Sequence, residues 1–332
     1  MLLRITKSAV TVLAVLYSAP VAAWLFFRLW KGEAWPLVGA LNAVGVWWFA
    51  PLLVLLPVAL LVRARQASIM AVLILLAALL LVGPDFTLGL SPAVPADAPR
   101  LRVLTYNALI SNVAYDAVEA MIREQQPDVI AVQELSHEMA AEISARVGAD
   151  YPYQLLHPWS DPRGMGIWSR YPIASSTTLT LYDWENWAQY AQLDVGGRAV
   201  HFWNLHLWPI GTLDRTIFAR NLIRQHEQAE QLGATVAGLE GPVLVAGDLN
   251  ASPTNRTYAL LNRELDDVWR TAAFGPGFTF PAPGTALPGV PPFLRIDYLW
   301  TKGPLTALEV RVLDSGAGSD HLPLVGDFAL DE

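Results

Sequence analysis

The 332-residue chain contains no cysteine. Disulfides, thiolate metal sites and a thiol nucleophile are therefore excluded, while the compartment stays open. Charge is also scarce: 16% of residues are Asp, Glu, Lys or Arg, against 53% that are hydrophobic. The scarcity is local. Ser8–Phe27, Ala34–Val62 and Ala67–Pro84 carry no charged side chain. None of these runs has the polar face of a helix lying on a soluble core. Each reaches or approaches the ~20 apolar residues that cross a bilayer. We therefore expect three transmembrane helices, over about 8–27, 34–62 and 67–84. A cleaved signal peptide competes for the first run, with Arg4 and Lys7 ahead of it and "SAPVAA" near its end. The two apolar runs that follow favour membrane helices. Pro51 and Pro57 predict a kink or tilt in the second. Trp24, Trp30, Trp35, Trp47 and Trp48 suit interfacial positions.

Arg4, Lys7, Arg63 and Arg65 fall on one side of such a bundle, Arg28 and Lys31 on the other. The excess of positive charge places the first side in the cytoplasm. A multi-pass integral membrane protein follows, with everything after Pro84 extracytoplasmic.

A basic surplus is missing as well. Residues 1–83 hold six of the 22 basic and one of the 30 acidic side chains, so the remainder has 16 against 29, a net charge of −13. So acidic a domain is poorly suited to holding long nucleic acid by phosphate neutralisation. A nuclease would need a local groove, for example from Arg163, Arg170, Arg215, Arg220 and Arg224. There is no G-x-G-x-x-G, no Walker loop and no internal repeat.

What is present divides the chain into a membrane region (1–84), a linker (85–100) containing the Pro/Ala stretch "SPAVPADAPR", and a domain over 101–332. In that domain short apolar runs alternate with helical patterns. "LRVLTYNAL", "PDVIAVQEL", "GMGIWSRYPI", "GPVLVAGDLN", "RIDYLWTKG", "LTALEVRVLD" and "LVGDFAL" read as strands. "YAQLDV" and "RAVHFWNLHL" read as a hairpin around Gly196-Gly197. "YDAVEAMIREQQ" and the stretch from Leu213 to Leu239 read as helices. Hairpins mixed with crossovers imply an α/β fold, a two-sheet β-sandwich flanked by helices.

Several strands end on polar side chains. "AGDLN" ends on Asp248 and Asn250, two apart and so expected on one face of a strand. Asn107 follows "TY", Glu134 follows "VQ", and Asn204 and His206 close "NLH". Asp297 opens a strand in "RID", and Asp320 and His321 lie in "SDH". Oxygen ligands with some imidazole and no sulfur suit a hard divalent ion, Mg²⁺ or Mn²⁺. A carboxylate at such an edge can orient or deprotonate a water, and an amide can donate to a developing oxyanion.

The ordered set "TYN", "QPDVIAVQE", "GMGIWSRYPI", "NLHL", "AGDLNASP", "RIDYLW" and "SDHLPL" resembles the endonuclease/exonuclease/phosphatase superfamily over about 101–329. The resemblance implies a two-sheet sandwich that hydrolyses phosphate esters with Mg²⁺. It implies Glu134 as the principal metal carboxylate, Asn107 beside it at the metal or phosphate, and Asp320 as an accessory ligand. Asp248 would orient or activate the attacking water, and Asn250 would donate to the phosphoryl oxygens. His206 takes the place of a residue that contacts the phosphate or leaving group. His321 would face the phosphate, paired with Asp297. Trp208, Arg163 and Arg295 are candidates for substrate contact. His201 reads as structural, and His137, His157 and His226 as surface or packing residues. The aromatic cluster Tyr182–Tyr190 suits either lipid headgroups or packing on the sheet. The reading is a membrane-tethered phosphoesterase acting on a phospholipid headgroup or another small phosphate ester. A tethered nuclease and a non-catalytic binding module on the same fold are the alternatives.

Overall fold

The computed structural model describes residues 2–87, 94–95, 97–178, 188–212, 214–285 and 289–330. The N-terminal part contains α1 (Leu2–Trp30), α2 (Pro36–Ala43), α3 (Leu52–Leu61) and α4 (Arg65–Leu81), with 3-10 turns at Gly32–Ala34, Gly45–Phe49 and Gly83–Phe86. Val10 and Ala14 pack with Ala59, Ala64 and Ala67, while Val21 and Trp24 pack with Phe49, Leu52, Ala78 and Val82. Thus α1, α3 and α4 run antiparallel in turn. Most of the large apolar side chains exposed among the described residues lie in this unit, from Ile5 to Phe86. Such an apolar exterior fits lipid better than water.

The expectation of three transmembrane helices is corrected here. Among the described residues one helix, Arg4–Trp30, is long and apolar enough to cross a membrane. The second run breaks: Pro36–Ala43 and Gly45–Leu61 meet at 73° and count as a second span only if taken together. The third, Arg65–Leu81, has 17 residues, about 25 Å at a rise of 1.5 Å per residue and short of the ~30 Å hydrocarbon core. A multi-pass arrangement is therefore not supported. The break has a polar cause. The Asn42 carbonyl accepts from Ser252 Oγ (3.0 Å) and Thr254 Oγ1, so the end of α2 is tied to the downstream domain. Gly45 lets Thr254 approach, since a Cβ there would lie 2.3 Å from Thr254 Oγ1.

The remainder is the expected two-sheet sandwich. One sheet holds β1 (Arg100–Asn107), β2 (Val129–Gln133), β3 (Tyr153–His157), β4 (Met165–Ser169), β11 (Leu305–Val312) and β12 (Leu324–Leu330), ordered β11-β12-β1-β2-β4-β3. The other holds β5 (Ile173–Thr178), β6 (Ala188–Val195), β7 (Arg198–His206), β8 (Val243–Asp248), β9 (Asp266–Asp267) and β10 (Asp297–Lys302), ordered β5-β6-β7-β8-β10-β9. Val103, Val129, Ala131, Ile167, Phe202, Leu244, Leu299 and Phe328 fill the space between the sheets. Helices α5 (Tyr115–Gln125) and α6 (His137–Val147) cover the first sheet. The second is covered by α7 (Arg215–Ala237) and α8 (Arg256–Leu261), and α9 (Val268–Ala272) follows β9. The hairpin at Gly196-Gly197 stands as expected, with φ +63° and +86°, joining β6 to β7. Of the aromatic cluster, Tyr182, Trp184 and Trp187 lie outside the described residues.

Each sheet has one parallel pair at its middle, β1 with β2 and β7 with β8. Parallel neighbours need a crossover, supplied by α5 and α7. All four strands therefore finish at the same rim, where the chain leaves for a helix or loop. Helix α6 starts beside that rim, capped by the Ser136 hydroxyl, which accepts from the Met139 amide at 3.0 Å. Ser136→Ala should cost about 1 kcal/mol of stability, measurable by denaturant unfolding of the full chain with little change in the slope.

Candidate active site

Asn107, His206 and Asp248 are the last residues of β1, β7 and β8, Glu134 follows β2, and Asp297 opens β10. Strand register brings them together. Asp248 lies opposite His206 in the parallel pair and opposite Asp297 in the antiparallel one. The Asn107 amide donates to Glu134 Oε1 (3.2 Å), beside it on the same sheet, and across the sandwich to Asp248 Oδ2 (3.1 Å). Asn107 is itself fixed, its Oδ1 accepting from the Leu109 amide at 3.0 Å. Glu134 Oε2 accepts from the Ile110 amide at 3.2 Å. Both Glu134 (φ +52°) and Asn250 (φ +49°) have left-handed backbones. Asn tolerates this conformation, whereas at Glu it costs of order 1 kcal/mol or more. Gln133 just before is tied to Asn204 (2.6 Å), so the strain is held by a fixed neighbour.

His206 is buried, with Nδ1 at 3.1 Å from the Pro162 carbonyl. A carbonyl can only accept, so Nδ1 carries the proton. Burial holds the imidazole below its ordinary pKa despite the Glu134 charge. Neutral His206 thus presents Nε2 as an acceptor, at 4.0 Å from Glu134 Oε1 and 3.6 Å from Asp248 Oδ2. It can take a proton or a hydrogen bond at that atom.

His321 has the opposite character. Its Nδ1 lies 2.9 Å from Asp297 Oδ2 and its Nε2 3.8 Å from Asp248 Oδ2. Burial works against its charge, but Asp297 and Asp248 outweigh that and push its pKa up to about 10. The Ser319 hydroxyl fixes the turn, accepting from the His321 amide and donating to the Asn107 carbonyl. Phe280 packs its ring 5.0 Å from the imidazole. Asp248 has its carboxyl pushed up to about 7, by burial first and then by the Asp297 charge. Asp320 is half-buried and likewise raised, burial again leading.

Asp248, Asp297 and His321 present ligand atoms within 4.8 Å of one another, a group able to hold a metal ion. Carboxylate and amide oxygens gathered in this way suit a hard divalent cation. The residues present fit a divalent cation.

The residue model of the endonuclease/exonuclease/phosphatase family matches residues 104–321. The chain belongs to the endonuclease/exonuclease/phosphatase family. Members of this family are metal-dependent phosphoesterases. Among solved structures, the family member from Bacteroides vulgatus is 17% identical with a TM-score of 0.54, covering 70% of this chain and 99% of that one. TDP2 of D. rerio, solved with a single-strand DNA product, is 16% identical with a TM-score of 0.58, covering 69% and 98%. Beta toxin of Staphylococcus aureus is 18% identical with a TM-score of 0.54, covering 68% and 99%. At these identities the likeness concerns the fold. No curated protein matches.

Within this family member, two expected positions differ in surroundings. Arg295 is buried and bonded to Asp267 Oδ2 (3.0 Å) and Asp85 Oδ1 (2.8 Å), as a strut between the 3-10 turn after α4 and the sandwich. Asn250 joins Asp248 through a turn, not through strand alternation, because β8 ends at Asp248. The Asn250 amide donates to Asp248 Oδ1 at 2.7 Å, and its side chain donates to the Leu207 carbonyl at 3.1 Å. Arg163 pairs with Asp161 beside Pro162, and the Arg224 guanidinium stacks over Trp208. Asn204 shares a strand face with His206 but is fully buried, bonding Gln133, Gln189 and two backbone carbonyls. Sequence reasoning missed Gln225, whose amide reaches the Trp208, Leu249 and Asn250 carbonyls at 2.9, 3.1 and 3.2 Å. A lone Gln on a helix carries no signal of such a role.

Proposed function

We propose that this protein is a membrane-held, divalent-cation-dependent phosphoesterase that cleaves a phosphate mono- or diester by in-line attack of water. The substrate is a phospholipid headgroup or another small phosphate ester. The reading rests above all on Asn107 bridging Glu134 and Asp248 across the two sheets, with His206 and His321 on either side. Glu134, Asn107 and Asp320 would hold Mg²⁺ or Mn²⁺. When bound, the cation would offset the negative charge of the phosphate ester as it develops. Asp248 holds the attacking water and takes its proton. Asn250 donates to a phosphoryl oxygen. Protonated His321, its Nδ1–H held by Asp297, donates to another; neutral His206 accepts from the water at Nε2, and the leaving oxygen takes its proton from solvent. Trp208 and Arg163 border the substrate.

The proposed organisation is a helical unit over 1–84, a linker over 85–100 and the catalytic domain over 101–332. The domain sits outside the cytoplasm. Two features support this: Arg4, Lys7, Arg63 and Arg65 lie at the end of the helical unit away from the domain, and the unit's exterior is apolar.

The test is hydrolysis by the full chain in detergent, with chelator and with added Mg²⁺ or Mn²⁺. Bis(p-nitrophenyl) phosphate, phospholipid vesicles and plasmid DNA serve as substrates. Chelation is expected to lower turnover by at least about 10²-fold, with recovery on metal addition. Rapid plasmid cleavage without ester or lipid hydrolysis would replace the substrate assignment by a nuclease. No hydrolysis under any metal would leave a binding module.

A further inference from the structure

The helical unit does more than abut the sandwich. Glu33, in the turn between α1 and α2, is 5% exposed although it is the only acidic residue in the first 83. Its Oε1 accepts from Asn42 Nδ2 (2.6 Å), Asn255 Nδ2 (2.9 Å) and the Arg256 amide (3.0 Å), and its Oε2 lies 2.9 Å from His226 Nε2. Burial pushes its carboxyl up, but these partners together outweigh it and leave the group below its ordinary pKa. Three of the four donors belong to the catalytic domain. Asn255 and Arg256 end the loop that begins at Asp248. Asn255 Oδ1 in turn accepts from the Ser252 amide and hydroxyl, both at 3.1 Å. His226 adjoins Gln225, whose side chain reaches the Leu249 and Asn250 carbonyls and accepts from Thr257 Oγ1 at 2.7 Å. The carboxylate therefore holds one end of the loop directly, while Gln225, beside its His226 partner, holds the other. A second loop is held in parallel. Trp47 stacks on Phe278 at 5.5 Å and donates to the Phe293 carbonyl at 2.9 Å, while Phe280 touches His321.

We propose that Glu33 is a positioning residue for the active site: through Asn255, Arg256 and His226 it holds the Asp248–Arg256 loop, so that the membrane-proximal helical unit completes the catalytic centre. The kinetic part of this proposal rests on the phosphoesterase reading; the structural part does not. The physical reason is that a buried charge with four donors has one low-energy arrangement. Replacing it strands donors and frees the loop. A neutral amide of the same shape sets its own NH₂ against donors, so the charge and not the volume is needed.

The experiment compares the full chain with Glu33→Gln and His226→Gln in detergent micelles. It reads amide hydrogen exchange over residues 249–257 and, as a control, over β1 and β2, together with kcat and KM. Glu33→Gln is expected to speed exchange in 249–257 by roughly tenfold or more without changing β1 and β2. It should lower kcat by roughly tenfold with KM changed little, the signature of a misplaced catalytic group. His226→Gln keeps a donor and should stay near the wild type in both readouts. Should Glu33→Gln fail to accumulate, Asn255→Ala removes one donor and leaves three, and should show the same pattern at smaller amplitude. Unchanged exchange in 249–257 overturns the proposal. Faster exchange with unchanged kcat in an active enzyme overturns the positioning role. Faster exchange in a protein inactive with every metal removes the phosphoesterase reading while the loop-holding contact stands.

Discussion

Asp248→Asn should cut metal-dependent turnover by roughly 10³-fold or more while leaving the sandwich folded. The amide keeps the shape of the carboxylate and can still accept from the Asn250 amide, but it cannot take a proton from water. The same substitution should change how stability depends on pH. Burial and the Asp297 charge raise the Asp248 carboxyl to about 7. A carboxyl raised above its unfolded value keeps its proton in the folded state after the unfolded chain has lost it. Stability of the metal-free protein therefore falls as pH rises from about 4 to about 7. His321 adds a fall of the same sign at higher pH. Its folded pKa is raised to about 10, so its contribution is full below about 6.5 and lost as pH rises through about 10. Asp248→Asn should flatten the first of these falls. Thermal melts in chelator at pH 4, 7 and 9 report it. Equal slopes in wild type and variant would show that Asp248 titrates normally, and unchanged turnover would remove it from the chemistry.

Gly247→Ala should be among the most damaging single substitutions in the sandwich, at about 4 kcal/mol or more. Two causes act together. Gly247 has φ +140°, which side-chain-bearing residues rarely adopt, and a Cβ there would lie 1.9 Å from the Leu205 carbonyl oxygen. Neither can relax cheaply, because β7 and β8 are a hydrogen-bonded parallel pair in which Leu205 faces Gly247. The neighbours of those two residues are His206 and Asp248, so any separation of the strands moves the site. Metal-dependent hydrolysis should fall with stability, and urea unfolding would show a lowered midpoint. An unfolding free energy within about 0.5 kcal/mol of wild type would mean that the strands yield easily.

Much of the site was legible in the sequence because it sits where apolar strand patterns stop. Asn107, Glu134, His206 and Asp248 mark such ends, Asp297 opens a strand and His321 lies in the turn before the last one, and the structure brings all six to one rim. Strand periodicity was less useful beyond the strand. It put Asn204 beside His206, yet Asn204 lies one step inside the rim and ties the two sheets together. It also put Asp248 and Asn250 on one face, where a left-handed turn does that work. Arg295 stands in the motif "RIDYLW", but Asp85 and Asp267 claim its guanidinium. His226 carried no motif and is nevertheless a partner of Glu33.

The sequence by itself determined the sandwich, its hairpin and crossovers, the oxygen-rich chemistry of the rim and an apolar N-terminal part. These are local quantities: hydrophobic period, turn residues and the residue type at each strand end. Only the tertiary structure decided that the second apolar run bends by 73° and that the helical unit reaches the Asp248 loop. Both follow from hydrogen bonds between residues some 200 positions apart, as between Asn42 and Ser252. A count of uncharged residues cannot register which carbonyl a distant hydroxyl will find.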